Sequence, residues 1–262
     1  MKLICIFHQS QTLEQKSGVF QGISSFTLHI IAMLLMLCDH FWATILFQYD
    51  WLTWVGRLAY PIFAFMLVEG YFHTHNLKKY MGRLLFWAIL SEIPFNLMYG
   101  GGLIYPFHQN VLWTFLIALS GVFLARKAEK KLQHKLAAIP VWVLCIAVCY
   151  VLGILGMTDY YGFGVLTVFL FVLLPGDAWW QKLGQLAGLY WINCEGLGGE
   201  LLTISVNGHA VEFPEQGLAL FALLPIWLYH GRQGCHSKAF QYTCYAFYPV
   251  HMLLLSVLAL MH

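Results

Sequence analysis

The sequence predicts an all-α fold: a polytopic transmembrane helical bundle of about nine membrane helices, with its N-terminus in the cytoplasm. Three observations predict it. Of the 262 residues, 60% are hydrophobic and only 10% are charged, and mean hydropathy is +0.68, whereas a soluble domain carries about 25% charged residues. The apolar residues form long runs, and the basic residues crowd into short segments between those runs.

A helix needs about 20 apolar residues to cross roughly 30 Å of hydrocarbon. Runs that meet or approach that length cover 25–47, 51–74, 80–99, 109–126, 136–156, 161–175, 178–194, 216–230 and 240–262. The sixth, seventh and eighth are short, which suits little tilt or re-entrant geometry. Residues 1–24 read as a cytoplasmic lead-in, since the apolar stretch 3–7 is too short for a signal-peptide core. Residues 25–262 read as a single transmembrane domain with no internal repeat.

Orientation follows from the segment Arg126-Lys127-Ala128-Glu129-Lys130-Lys131-Leu132-Gln133-His134-Lys135. Placed in the cytoplasm by the positive-inside rule, it fixes every other loop. Of the 14 Lys and Arg residues, all but Arg57 then fall at or near the cytoplasmic face. The longest outer loop, 195–215, holds Glu195, Glu200, Glu212 and Glu215 and no Lys or Arg. The C-terminus is then outside. Basic residues confined to the membrane face leave no surface for nucleic acid. The partners implied are the bilayer and small molecules, with oligomeric state left open.

Seven cysteines (Cys5, Cys38, Cys145, Cys149, Cys194, Cys235 and Cys244) form no CxxC and no metal-ligand spacing. Those inside apolar runs read as small hydrophobes. No metal is expected.

Polar residues inside the spans carry the functional signal. Asp39, Arg57, Glu69 and Glu92, at roughly 2.5–3.5 kcal/mol each, would cost on the order of 10–14 kcal/mol if all faced lipid unpaired. They are therefore expected to converge, with His40, on a polar interior chamber. Depth counting puts Asp39, His40, Arg57, Glu92 and Asn96 in the outer half. Gln109 and Asn110 open the fourth span at the outer mouth, and Asp159, Tyr160 and Tyr161 mark the next outer turn. His251 lies near the middle of the last span, two residues after Pro249. Pro61, Pro94 and Pro249 each remove a backbone hydrogen bond beside this cluster. Glu69 and His73 read as a helix-end pair, and His29, His75 and His108 as surface or interfacial residues. Arg57 also has a structural reading, as the neutralising partner of Asp39 or Glu92.

Several blocks share an order with one known family. They are Asp39-His40, Gly56-Arg57-Leu58-Ala59-Tyr60-Pro61-Ile62-Phe63-Ala64-Phe65 with Val68-Glu69-Gly70, and Ser91-Glu92-Ile93-Pro94-Phe95-Asn96. Gln109-Asn110-Val111, Tyr161-Gly162-Phe163-Gly164-Val165-Leu166 and Phe247-Tyr248-Pro249-Val250-His251 complete the set. Over roughly residues 25–255 the chain resembles the TraX family of bacterial membrane proteins, whose founding member is associated with conjugative plasmids and N-terminal acetylation of a pilin subunit. That family in turn resembles the multi-pass acyltransferases that include the lysosomal heparan N-acetyltransferase and O-antigen acetylases. The resemblance implies an acetyl-CoA-dependent acyltransferase and leaves the acceptor open: a protein N-terminus or a glycan.

Acyl transfer needs a base for the nucleophile's proton and donors for the developing oxyanion. His40 is the first choice for base and His251 the second, with Asp39 or Glu92 orienting the imidazole. Arg57, Asn96 and Asn110 are candidate donors, and Gln109, Asp159, Tyr160 and Tyr248 candidate acceptor contacts. The phosphates of coenzyme A would meet Lys78, Lys79, Arg83, Arg126 and Arg232 at the inner face, with Gly231 and Gly234 letting backbone approach. A proton-coupled small-molecule transporter is the alternative, because buried Asp, Glu, Arg and His also mark ion pathways. A scaffold in which polar groups only lock helix packing is a third reading.

Overall fold

The computed structural model describes residues 22–132, 135–206, 209–235 and 237–261; all but the last three residues of the expected lead-in lie outside them. Nearly every expected span is a helix. In chain order they are α1 (Ser25–Thr44), α2 (Trp51–Gly56), α3 (Ala59–His73), α4 (Leu77–Gly100), α5 (Val111–Glu129), α6 (Ala138–Leu155), α7 (Tyr161–Leu173) and α8 (Trp179–Tyr190). A π-helical stretch, Trp191–Leu197, continues α8. A 3₁₀ helix, Glu215–Ala222, runs into the short α9 (Leu223–Trp227), and α10 (Lys238–Ala259) ends the bundle.

Local chemistry sets the ends. Ser24, Asn76, Asn110 and Ser237 each cap a helix by accepting a first-turn N–H with the side chain, which satisfies donors that a helix start leaves free. Gly101 ends α4 at φ +66°, a conformation that costs glycine little.

Two features depart from the expected pattern. The second span is split into α2 and α3 at Arg57 and Leu58. Pro61 explains the break, since its ring excludes the carbonyl four residues back, that of Arg57, and it has no N–H to donate. Pro94 and Pro249 instead lie within continuous helices. Second, the outer loop contains a hairpin, β1 (Leu201–Val206) antiparallel to β2 (His209–Pro214), with Leu201 opposite Pro214.

Helix packing runs in a closed order. α1 packs on α3, α3 on α7, α7 on α5, α5 on α4, α4 on α10, and α10 returns to α1. α6 packs outside α5 and α7, while the 3₁₀ helix covers α3. Leu28, Ala32, Ile62, Val68, Leu119, Val122, Val165, Val168 and Phe169 are almost wholly buried in the main core. A smaller cluster of Met36, Ala59, Phe95, Tyr248 and Met252 joins α1, α3, α4 and α10. Exposed Phe86, Ile89, Leu90, Ile93, Val143, Leu144, Val151, Leu253, Leu254 and Val257 clothe the outside in apolar side chains, which suits lipid. Among the described residues, five helical stretches, with α2 and α3 taken together, are long and apolar enough to cross a membrane. The protein is a helical membrane bundle.

Candidate functional site

Inside this ring lies a cavity of about 580 Å³. Its wall includes Ser25 at the start of α1 and Ala43 near its end, so at 1.5 Å per residue it follows α1 for about 27 Å. That is nearly the hydrocarbon thickness of a bilayer. Its middle is apolar, with Met33, Phe63, Met66, Leu84 and Phe115 in the wall. Its two ends are polar.

The Ala43 end holds Asp39, His40, Arg57, Tyr99, His108, Asp159, Tyr160 and Tyr248. His40 (7% exposed) and His251 (4% exposed) are buried, and His40 Nδ1 is 2.7 Å from His251 Nε2. The imidazole planes differ by 16° with centroids 4.8 Å apart, so the rings lie nearly parallel and meet through these two nitrogens. His251 Nδ1 is 2.6 Å from the Phe247 carbonyl oxygen, which can only accept. In the neutral pair this fixes both tautomers: His251 donates from Nδ1, its Nε2 accepts from His40 Nδ1–H, and the lone pair of His40 rests on Nε2. His40 lines the cavity, whereas His251 stands behind it.

The carboxylates are arranged otherwise than expected. Asp39 Oδ1 accepts from Thr53 Oγ1 at 2.8 Å. The close approach of α2 to α1 here depends on Gly56, where an added Cβ would lie 2.4 Å from Asp39 Cβ. Arg57 binds Glu215, with Nε 2.8 Å and Nη2 2.7 Å from the same carboxylate oxygen. Neither Asp39 nor Glu92 orients His40; that position belongs to His251. Glu92 is absent from the cavity wall. It accepts from Trp113 Nε1 at 2.9 Å and from Asn110 Nδ2, joining α4 to α5.

Asp159 and Tyr160 are held by a strained turn, with φ positive at Met157, Tyr160 and Tyr161. Three non-glycine residues in that region are costly and need external support. Support comes from Gln109, whose N–H donates to the Met157 carbonyl at 2.8 Å and whose carbonyl accepts from Asp159 N–H at 2.9 Å. Thr114 Oγ1 donates to the Asp159 carbonyl at 2.6 Å. Tyr160 stacks on Tyr60 at 4.0 Å. Burial pushes its phenol above the usual range, the Asp159 and Asp39 carboxylates add to that, and Arg57 opposes it. Asp159 also pairs with His108, Oδ1 to Nε2 3.4 Å.

Of the expected acceptor contacts, Asp159, Tyr160 and Tyr248 reach the cavity, while Gln109, Asn110 and Asn96 do not. Gln109 braces the turn. Asn96 donates to the Leu103 carbonyl at 3.2 Å. Asn110, wholly buried, accepts from Leu112 N–H at 3.1 Å and donates to the Ala88 carbonyl at 2.9 Å. Asn110→Ala removes a helix cap and leaves Ala88 and Glu92 short of a donor. It should lower unfolding stability by about 2–4 kcal/mol, read by thermal melting in detergent, while the cavity wall stays intact.

The sequence reading missed three groups. Glu215 lies 158 positions from Arg57 in a segment read as outer loop. Thr53, fully buried, looked like one more helix residue. His108 was read as interfacial, although it follows from the neighbouring Gln109–Asn110 signal that this segment meets the outer turn.

At the Ser25 end the wall includes His29, Glu69, His73, Tyr80, Gln233 and Gln241, so the pair read as a helix end, and His29, face the cavity. Lys78, Lys79 and Arg83 are exposed beside this end, with Arg83 bonded to the wall residue Tyr245. The wall residues Gly231 and Gln233 flank Arg232, whose carbonyl accepts from Ser25 N–H at 2.8 Å. Arg126 is directed elsewhere: it pairs with Glu129 at 3.2 Å and lies 5.0 Å from the Trp142 ring centroid. Among the described residues, no group of three or more His, Cys, Asp or Glu is placed to hold a metal.

Comparison with known proteins agrees with the family resemblance of the sequence. The family model described as TraX protein matches residues 24–259. The chain belongs to the TraX family. This TraX-family chain is also 31% identical over 251 residues to a probable fimbrial assembly protein, FimC of serogroup H1, from Dichelobacter nodosus, covering 88% of this chain and 94% of the relative. No solved structure matches it.

Proposed function

We propose that this protein is an integral membrane acyltransferase that moves an acetyl group from acetyl-CoA to an amine or hydroxyl acceptor. The observation that carries the reading is one continuous cavity with exposed cations beside one end and His40 in the wall at the other. The residues suit the donor's chemistry. Lys78, Lys79 and Arg83 offer charge to phosphates, the apolar middle suits an uncharged arm, and the carbonyl of a thioester would find donors beside Arg57. Arg126 is left out of that set.

The cavity residues have separable tasks. His40 Nε2 takes the proton from the acceptor's nitrogen or oxygen as it attacks the acyl carbonyl, and returns it to the departing thiolate, so protons balance over the cycle. Glu215 uses two Arg57 donors, which leaves others for the developing oxyanion. Asp39 and Asp159 make the Ala43 end favourable for a cationic acceptor, whose ammonium group sheds one proton to water before its neutral amine attacks.

The same reading places the Ser25 end in the cytoplasm. Besides the five long apolar helices, it has α4, α7, α8 with its π-helical extension, and the 3₁₀–α9 stretch cross the bilayer, which makes nine crossings. An odd count puts the termini on opposite faces, so with the Ser25 end on the cytoplasmic side of an inner membrane the N-terminus is inside and the C-terminus outside. The name of the Dichelobacter relative makes a fimbrial subunit the first acceptor to test.

The test is thiol release from acetyl-CoA by purified protein in nanodiscs, against a panel of peptides with free N-termini, amines and glycans. Release that depends on an acceptor is expected. A silent panel together with no calorimetric binding of acetyl-CoA would overturn the acyltransferase reading. Proton leak or solute uptake in liposomes would then favour transport.

A further inference from the structure

We infer that His251 is a positioning residue, which holds His40 in the one tautomer that leaves a lone pair facing the cavity. The inference deepens the acyltransferase reading and rests on it for its kinetic arm only. The chain of bonds is directional because its far end is a carbonyl oxygen. Phe247 O cannot donate, so His251 Nδ1 carries a proton toward it at 2.6 Å. His251 Nε2, lacking a proton in the neutral ring, must accept, and His40 Nδ1 at 2.7 Å must donate. His40 Nε2 remains. No described protein group hydrogen-bonds it, and it belongs to a cavity-lining side chain.

The backbone prepares this chain. The Phe247 carbonyl, four residues before His251 in α10, ordinarily accepts the His251 backbone N–H; here it also receives the ring. The second core cluster encloses the pair: Tyr248 and Met252 come from α10, Met36 from α1 and Phe95 from α4. Phe247 stacks on the His251 ring at 4.7 Å and 17°. Rotation of either ring would break a buried bond. Burial also excludes water that could support the other tautomer.

An imidazole has a second use in this place that a carboxylate lacks. When His40 gains a proton on Nε2, the Nδ1 proton can shift along the bond to His251 Nε2, so the charge spreads over two rings while Phe247 O still holds the far end. No atom is lost and none is added. The neutral pair also adds no fixed charge between α1 and α10, where a lone carboxylate would be costly in the bilayer.

Two substitutions separate positioning from packing. His251→Gln keeps an amide oxygen that can accept from His40 Nδ1–H. His251→Leu keeps apolar volume and offers no acceptor. The expected result is a fall in kcat for His251→Leu of roughly 10²–10⁴-fold, partial rescue by His251→Gln, and calorimetric acetyl-CoA affinity that stays at the wild-type value in both. In parallel, ¹⁵N-histidine NMR of the wild type, assigned by His40→Asn, should show the Nδ1-protonated neutral form at His40, and His251→Leu should lose it. Wild-type kcat in His251→Leu would overturn the inference. So would equal loss in the Gln and Leu variants with native melting temperature, or an Nε2-protonated His40 in the wild type. The NMR arm decides the tautomer even if the wild type releases no thiol, a result that would count against the acyltransferase reading alone.

Discussion

His40→Ala should reduce acetyl transfer by roughly 10²–10⁴-fold, the range that a positioned general base contributes, with acetyl-CoA affinity close to wild type and a melting temperature lowered by loss of the buried bond to His251. His40 is the only member of the histidine pair in the cavity wall, and alanine there enlarges a cavity that already exists, so little packing is lost. Stopped-flow thiol detection with a saturating peptide acceptor measures the effect on kcat. Retained kcat would show that the proton leaves by another group, with His108 beside Asp159 the first to examine.

Arg57→Leu should act differently, through the fold. Arg57 is 24% exposed and Glu215 9% exposed at the side chain, and removing one partner of a largely buried pair costs about 3–5 kcal/mol because the other charge is stranded. The low end of that range is expected, since the pair is not wholly cut off from water. The double variant Arg57→Leu/Glu215→Leu should recover part of the loss, because Glu215 is no longer stranded, while the Asp39 carboxylate still lacks its neighbouring guanidinium. Chemical unfolding in mixed micelles gives the comparison, and equal instability of single and double variants would contradict the stranded-charge account. Activity should stay low in the double variant if Arg57 also supplies an oxyanion donor.

The positions of the helices were legible because lipid-facing and core-facing residues alike are apolar, and long runs announce themselves. Cost alone set the expectation that Asp39, Arg57, Glu69 and Glu92 converge with His40 on one chamber; Asp39, His40 and Arg57 meet at its Ala43 end, Glu69 lines its Ser25 end and Glu92 stays outside its wall. Which side chains join them depends on helix rotation and on distant pairing, which a single sequence does not encode locally. Glu92 and Asn96 share one face of α4, but that face meets α5 and the following loop rather than the cavity. Glu215 reaches Arg57 only because the chain re-enters after the hairpin. The break between α2 and α3 was foreshadowed by Pro61, and it brings Arg57 to a helix end where its guanidinium can turn inward. The histidine pair was visible as two candidates for one task; their contact across 211 positions turns rivals into partners.

A structure of the protein in nanodiscs with acetyl-CoA bound tests the central claim most directly. The account predicts phosphates beside Lys78, Lys79 and Arg83, the arm threaded between α1, α3, α4 and α10, and the thioester at the polar end near Arg57, with room for an acceptor between it and His40 Nε2. Acetyl-CoA seated outside the helix ring, or stopped at the apolar middle with His40 sealed from it, would contradict the account.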